Sequence, residues 1–164
     1  MKRIILSLLF LGFCASGFSQ EYRHALGIRG GLSAGVEYRQ YFNDRVSGKL
    51  LLSFRNSGFQ LHGLFEIHHN DLFPGTDQFD FLYGVGLYGG YLRWHEIRHE
   101  GMYDYAVVKS GIVAGLDGLV GMEYNSAAIP LSIGLEAKPI VELGGELGFN
   151  VIPWDFALTI KYLF

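Results

Sequence analysis

The last ten residues of the chain, DFALTIKYLF at positions 155–164, decide the fold. Every second side chain in this segment is apolar, and Thr159 and Lys161 lie among the residues between. Alternation with a period of two residues is typical of a β-strand whose two faces meet different surroundings. A uniformly apolar strand face that finishes on an aromatic residue predicts the closing strand of an outer-membrane β-barrel. That face consists of Phe156, Leu158, Ile160, Tyr162 and Phe164.

The same alternation recurs in seven upstream segments, so we predict eight strands. Gln40 is the only clearly polar side chain on the apolar faces, and none is charged. A charged side chain at the bilayer midplane costs about 2–4 kcal/mol, so a strand face that contacts hydrocarbon is expected to carry no charge. The sequence therefore predicts an all-β, eight-stranded antiparallel up-and-down transmembrane β-barrel. The seven upstream apolar faces are Leu26, Ile28, Leu32; Val36, Tyr38, Phe42; Leu50, Leu52, Phe54; Phe59, Leu61, Phe65, Ile67; Phe79, Phe81, Tyr83, Val85, Leu87, Tyr91; Ile112, Ala114, Leu116, Val120, Met122, Tyr124; and Leu131, Ile133, Leu135, Ala137, Val141.

The opposite strand faces carry charges of both signs, with glycines between them. This mixture suits a narrow barrel interior in which charges must pair and backbones must approach closely. A water-exposed face would be richer in lysine, serine and threonine, and the chain has only five lysines. We therefore predict a structural polar network in the lumen. Its members are Arg29, Glu37, Arg39, Lys49, Arg55, His62, Glu66, Asp80, Asp117, Glu123, Glu136, Lys138 and Lys161.

The first twenty residues have the composition of a secretory signal peptide. Lys2 and Arg3 precede an apolar stretch at positions 4–13, and small residues follow up to Ser19. Ten apolar residues are too few to cross a bilayer as a helix. We expect cleavage near Ser19/Gln20, which leaves residues 21–164 as one outer-membrane barrel domain.

Charge and hydropathy argue against two other classes of protein, those that bind nucleic acid and those that cross a membrane with helices. The chain has 13 basic and 16 acidic residues, which gives no case for nucleic acid as a partner. After residue 20 no uncharged apolar run approaches 18 residues, and Asp117 breaks the longest candidate, at 111–122. No transmembrane helix is therefore predicted.

The parity of the apolar faces constrains the loops. The first two strands both have their apolar faces on even-numbered residues. This predicts a loop with an odd number of residues between them, placed at residues 33–35. After Phe54 the apolar face moves from even to odd residue numbers. This change predicts a loop with an even number of residues, placed at residues 56–57. Two longer outward loops are expected at 95–110 and 144–154. Periplasmic connections are expected near residues 43–47, 70–77 and 125–130.

Three catalytic motifs occur in contexts that do not suit them. The H-E-x-x-H pattern at 95–99 follows a strand and is cut off by Gly101, whereas zinc binding by this motif needs a helix. The G-x-S-x-G pattern at 31–35 leads into another strand, not into a helix. The G-x-G-x-x-G pattern at 84–89 lies within an alternating strand. We therefore predict no catalytic residue, metal ligand or cofactor.

His62, Glu66 and His68 share the inward face of one predicted strand. A lumenal histidine beside a carboxylate is able to serve as a general base. Membership of an interior hydrogen-bond network explains the same residues, and we favour that interpretation.

The chain resembles a family of small outer-membrane β-barrel proteins common in Bacteroidetes-type bacteria. The resemblance covers most of the mature chain except residues 95–110. It implies a membrane-embedded barrel, inserted by assembly machinery that reads the terminal aromatic strand, and it implies no established catalytic or ligand-binding residue. The stretches that carry it are ALGIRGG (25–31), GFQLHGLFE (58–66), GLDGLVGMEY (115–124), IPLSIGLEAKP (129–139) and IKYLF (160–164).

Three functional hypotheses follow. The first is a non-enzymatic barrel with a closed, charge-paired interior, which serves envelope structure or surface interaction in the Gram-negative outer membrane. Its partners would be outer-membrane lipids, the barrel-assembly machinery and an extracellular partner that contacts the 95–110 loop, together with Trp94, Tyr103 and Tyr105. The second is an outer-membrane enzyme that acts on the acyl chains of lipid A or phospholipid. The third is a soluble exported barrel of lipocalin type, apolar inside and polar outside.

Overall fold

The computed structural model describes residues 22–55, 58–70, 76, 78–100, 103–143 and 149–164, with the backbone alone for 94–100 and 103–107. The predicted signal peptide and the predicted loop at 56–57 lie outside the described residues.

Ten strand segments form one closed antiparallel sheet. Each segment from β1 to β6 pairs with the next one along the chain, and β1 pairs with β10 to close the ring. Both β7 and β8 pair with β6, while β7 also pairs with β10 and β8 with β9. These four segments therefore make two barrel strands, each interrupted once, and the predicted eight-stranded up-and-down barrel is confirmed. The segments are β1 (His24–Gly31), β2 (Ala34–Asn43), β3 (Val46–Arg55), β4 (Gly58–His69), β5 (Phe79–Glu100), β6 (Tyr103–Asn125), β7 (Leu131–Ala137), β8 (Ile140–Leu143), β9 (Phe149–Ile152) and β10 (Phe156–Leu163).

The two interruptions lie side by side and both contain proline. Pro139 separates β7 from β8, and Pro153 separates β9 from β10. Proline lacks the N–H that a ladder needs, so it is found at strand edges and irregularities. Lys138 and Asp155 keep the wall continuous there, because each backbone N–H donates to the other's carbonyl at 3.1 Å.

The β1–β2 turn differs from its prediction. Arg29 pairs with Gly35 and β2 begins at Ala34, so the turn lies at Leu32 and Ser33 and not at 33–35. The parity is as predicted, because an odd number of residues lies between the paired residues Arg29 and Gly35, but the predicted place of the turn is wrong. Gly35 belongs to the ladder, where an added Cβ would lie 2.2 Å from the Leu52 carbonyl oxygen. Close backbone approach, not a turn conformation, therefore accounts for this glycine.

The other connections that were predicted to face outward show one agreement and two differences. Arg55 pairs with Gly58, which leaves two residues to connect β3 to β4, as predicted. The predicted 95–110 loop is wrong, because β5 continues to Glu100 and pairs there with Tyr103 of β6. Within the predicted loop at 144–154, β9 occupies four residues. In both places the backbone ladder extends past the segments in which an apolar face predicted a strand.

The apolar strand faces point outward. None of the side chains on the eight predicted apolar faces is buried, and Ile112 is 77% exposed. The lipocalin-type hypothesis is wrong, since it needs an apolar interior beneath a polar exterior. No helix of adequate length and apolarity to cross a membrane is found among the described residues.

Two apolar clusters nevertheless lie inside the barrel. Tyr88, Leu92, Val113 and Ile140 form one cluster, against which Ile152 packs. Leu64, Leu82 and Leu119 form the other. They share the lumen with the polar side chains described next.

Candidate functional site: the polar interior of the barrel

The predicted lumenal residues are placed inside the barrel by the inward parity of their strands. Twelve of the thirteen are buried, and Arg55, at the end of β3, is half-buried. Further buried residues lie at inward positions outside that predicted network. Sequence reasoning placed His68 and Glu142 on the inward face but missed the serines, the threonine and the amide, because a hydroxyl or amide gives a weaker signal than a charge. These further buried residues are Ser33, Ser47, Ser53, Gln60, His68, Ser132, Glu142, Asp155 and Thr159.

A central cluster of seven charged residues crosses the middle of the lumen. It consists of Glu37, Arg39, Lys49, Glu66, Glu123, Glu136 and Lys161.

Arg39 connects opposite walls within the central cluster. It lies on β2, whereas Glu123 lies on β6, four strands away around an eight-strand ring. The two terminal guanidinium nitrogens of Arg39 donate to the two Glu123 carboxylate oxygens, each at 2.8 Å. The Arg39 Nε lies 2.7 Å from Glu66 Oε2. Bidentate geometry of this kind is strong and fixes orientation, so it braces the barrel across its width.

The two lysines of the central cluster each contact three carboxylates. Lys49 Nζ lies 2.6 Å from Glu136, 2.9 Å from Glu66 and 3.4 Å from Glu37. Lys161 Nζ lies 3.1 Å from Glu37 and 3.2 Å from Glu136, and it also contacts Glu123. Sharing carboxylates between cations offsets the cost of removing each charge from water.

Arg29 and Asp155 extend the network to the interrupted strands. Arg29 donates to Glu136 Oε2 at 2.9 Å and to the Asp155 carbonyl at 3.0 Å. The Asp155 carboxylate accepts the Ser33 backbone N–H at 3.2 Å and its hydroxyl at 2.6 Å. One buried carboxylate therefore joins the β1–β2 turn to the break between β9 and β10.

Two Ser–His–Asp chains flank the central cluster. In the Ser53 relay, Ser53 Oγ lies 2.9 Å from His62 Nε2, and His62 Nδ1 lies 2.7 Å from Asp117 Oδ2. In the Ser47 relay, defined by Ser47, His68 and Asp80, the corresponding distances are 2.7 Å and 2.5 Å.

The register of β3 and β4 generates both relays. Ser53 faces Gln60 and Ser47 faces Glu66, so each serine meets the histidine two residues further along β4. Such diagonal neighbours are within reach of long and aromatic side chains. The two serines lie six positions apart in the sequence, and so do the two histidines, so the same arrangement appears twice.

The relays have the order of nucleophile, base and orienting acid that serine hydrolases use. Both serines are nevertheless fully buried. β3 is hydrogen-bonded on both edges, so the ladder already uses the backbone N–H groups that an oxyanion hole would need. The geometry therefore supports a structural role for both relays.

The discounted motifs lie in strands and turns. The H-E-x-x-H residues at 95–99 are on β5, Ser33 is in the β1–β2 turn, and the glycines at 84–89 are within β5. Among the residues whose side chains are described, no group of three or more His, Cys, Asp or Glu is placed to hold a metal ion.

Comparison with known proteins bears on the fold. No family model and no curated protein matches the chain. The crystal structure of Neisserial surface protein A (NspA) is similar, with a TM-score of 0.54 and 12% identity over 86% of this chain and 93% of that one. The N-terminal β-barrel domain of Pseudomonas aeruginosa OprF gives a TM-score of 0.47 and 14% identity over 86% and 95%. The likeness to NspA supports the barrel fold.

Proposed function

We propose that the chain is an integral outer-membrane β-barrel protein that is not an enzyme and that serves envelope structure or surface interaction. The observation that carries this proposal is the distribution of side chains, with apolar faces outside and paired charges inside. Water would be a poor solvent for such an exterior, since large exposed apolar patches mark membrane or partner contacts. Hydrocarbon is the environment that this surface suits.

A closed interior argues against a diffusion pore. An eight-stranded barrel is just wide enough for side chains to fill it. Here ion pairs span the lumen and two apolar clusters pack beside them. Burial of both relay serines supports a non-enzymatic role over lipid modification.

The partners that we propose follow from the surfaces. Outer-membrane lipids would cover the apolar faces, and the assembly machinery would read the terminal strand β10 with its aromatic end. The β5–β6 ribbon rises past the last β4 pairing at Tyr91 and the last β8 pairing at Ala114. We propose that residues 95–110, as the tip of this ribbon, contact an extracellular partner. We also propose membership of the Bacteroidetes-type family of small barrels.

Expression in a Gram-negative host tests the membrane location. We expect the protein in the outer-membrane fraction, with a folded band that shifts on a gel only after boiling. Recovery in the soluble periplasm would contradict the proposal.

Shortening the ribbon tests its role separately. His95 pairs with Val108, so replacing residues 95–108 by a two-residue turn removes whole ladder pairs and leaves the barrel wall intact. We expect the shortened protein to keep its heat-dependent gel shift. We expect cells that carry it to lose binding to the extracellular partner. Retained surface binding would place the contact elsewhere.

A further inference from the structure

The outward wall of the barrel carries a groove of about 820 Å³ that crosses it from β2 to β8. Gly48, Gly63 and Gly118 line this groove, and exposed apolar side chains such as Leu50 and Leu116 stand beside them. We propose that this diagonal groove binds one acyl chain of a phospholipid. The proposal rests on the membrane location proposed above and adds a defined lipid site to it.

The glycines of the diagonal groove differ from those that face the lumen. An added Cβ at the inward Gly90 would lie 2.3 Å from a backbone carbonyl oxygen of β4. At Gly63 the nearest atom would be a side-chain carbon of Leu50 at 4.0 Å, and at Gly48 and Gly118 the nearest would be side-chain carbons at 3.1 Å. Glycine weakens a strand, and close backbone approach does not account for these three. What they share is that they deepen the outer wall.

The pairing register sets the course and the length of the groove. Gln40 pairs with Gly48, Gly48 with Phe65, Phe65 with Val85, and Val85 with Gly118. Five spacings of about 4.8 Å separate the six strands, so the groove is roughly 24 Å long. Strands of such barrels tilt by about 35–45°, so a row of paired residues runs obliquely and climbs roughly 15 Å along the membrane normal. That rise matches one leaflet, which is half of a hydrocarbon core about 30 Å thick.

A polar side chain marks the end of the groove that lies near the start of β1. Gln40 is exposed there and is the one clearly polar residue on the eight predicted apolar faces. Its neighbour on the same face, Tyr38, has its hydroxyl 2.8 Å from His24 Nδ1. Tyrosines of membrane proteins are enriched at the level of the lipid headgroups. The Gln40 amide therefore lies where it can bind the polar part of a lipid whose chain follows the groove, and a concave apolar site with few polar groups is typical of ligand binding.

The shape of the groove favours an acyl chain over a second copy of the protein. The groove is about as wide as the side chains that its glycines lack, and the exposed Phe65 and Leu87 flank it. The convex wall of another barrel would rest on these side chains and leave the glycines without contacts, which forfeits dispersion energy. A flexible hydrocarbon chain reaches them. The groove is also continuous with the surface that faces hydrocarbon.

Paramagnetic broadening in the full wild-type chain tests the site. Protein with carbon-13 methyl groups, in detergent micelles, receives one equivalent of phosphatidylethanolamine that carries a nitroxide on one acyl chain. We expect the methyl signals of Leu50, Leu87 and Leu116 to broaden more than those of Ile133 and Ile160, which are also exposed but lie outside the groove. An excess of unlabelled phosphatidylethanolamine should reverse the difference. Uniform broadening would overturn the proposal.

A pair of glycine variants gives an independent readout. Gly63→Leu fills the groove at a position with open space, so this variant should fold. Gly89→Leu is the matched control, because Gly89 is also exposed, its nearest atom is 3.9 Å from an added Cβ, and it does not line the groove. Native mass spectrometry after mild detergent extraction should find one retained phospholipid on the wild type and on Gly89→Leu, and none on Gly63→Leu. Equal retention by the two variants would contradict the site.

The membrane location is measured separately for the same proteins, by fractionation and by the heat-dependent gel shift. Wild-type protein that is found in the outer membrane but shows no selective broadening would refute the lipid site alone. Recovery in the soluble periplasm would refute both proposals. Efficient disulfide cross-linking of two Gly63→Cys copies in the membrane would identify a second copy as the occupant and overturn the lipid site. If Gly63→Leu does not fold, the wild-type broadening decides.

Discussion

The contact between Arg39 and Glu123 gives a quantitative test of the interior network. We consider Arg39→Gln, Glu123→Gln and the double variant. Removing one partner of a buried pair costs about 3–5 kcal/mol, because it leaves an uncompensated charge. Here Arg39 keeps Glu66, and Glu123 keeps Lys161, when the other partner is lost. We therefore expect each single variant to lose about 3 kcal/mol of unfolding free energy.

The double variant should lose clearly less than the sum of the two single losses. Contacting residues in one network couple by about 0.5–3 kcal/mol, and the bidentate contact places this pair at the upper end. Equilibrium urea unfolding in micelles measures all four proteins. Gln40→Ala, on the outward face beside Arg39, is the control and should change little. Additive losses, or single losses below about 1 kcal/mol, would refute the cross-lumen brace.

Three further predictions follow from burial and close packing. Leu116→Arg should block membrane insertion in a fractionation assay, at a cost of about 2–4 kcal/mol on the outward face, whereas the adjacent Asp117→Asn should still insert; equal tolerance would count against the assigned orientation. Gly86→Ala should lower the urea concentration at the unfolding midpoint, because its Cβ would lie 2.5 Å from the Gly63 carbonyl oxygen. Gly30→Ala is the control and should leave this midpoint unchanged, because Gly30 has open space around it. Equal midpoints for the two variants would contradict the close packing at Gly86. A fluorophosphonate probe should leave Ser53 unlabelled in the folded protein, as judged by mass spectrometry, and labelling abolished by Ser53→Ala would show an accessible nucleophile.

The barrel wall was predictable because hydrocarbon imposes a strict rule on one face. Every second residue of β10 must be apolar, and this single constraint sets the phase of the strand and the inward position of Lys161. Parity then predicted the length of the β3–β4 connection, which the pairing of Arg55 with Gly58 bears out.

The remaining features depend on contacts that alternation does not encode. The β1–β2 turn lies where Asp155, from the far end of the sequence, holds Ser33. The β5–β6 ribbon at 93–110 extends beyond the part of the sheet whose outward face is apolar. Alternation of apolar residues therefore does not mark its strands in the sequence. The relays arise from the diagonal register between β3 and β4, which a list of inward residues does not contain.

Spin labelling along β10 tests the central claim most directly. With Cys14 replaced by serine, single cysteines at positions 156–163 carry a nitroxide in protein reconstituted into lipid vesicles. Dissolved oxygen concentrates in hydrocarbon, so labels at Phe156, Leu158 and Ile160 should relax strongly with oxygen and weakly with a water-soluble nickel chelate. Labels at the alternate positions should respond weakly to oxygen. A loss of this two-residue alternation, or nickel access at the outward positions, would contradict the account.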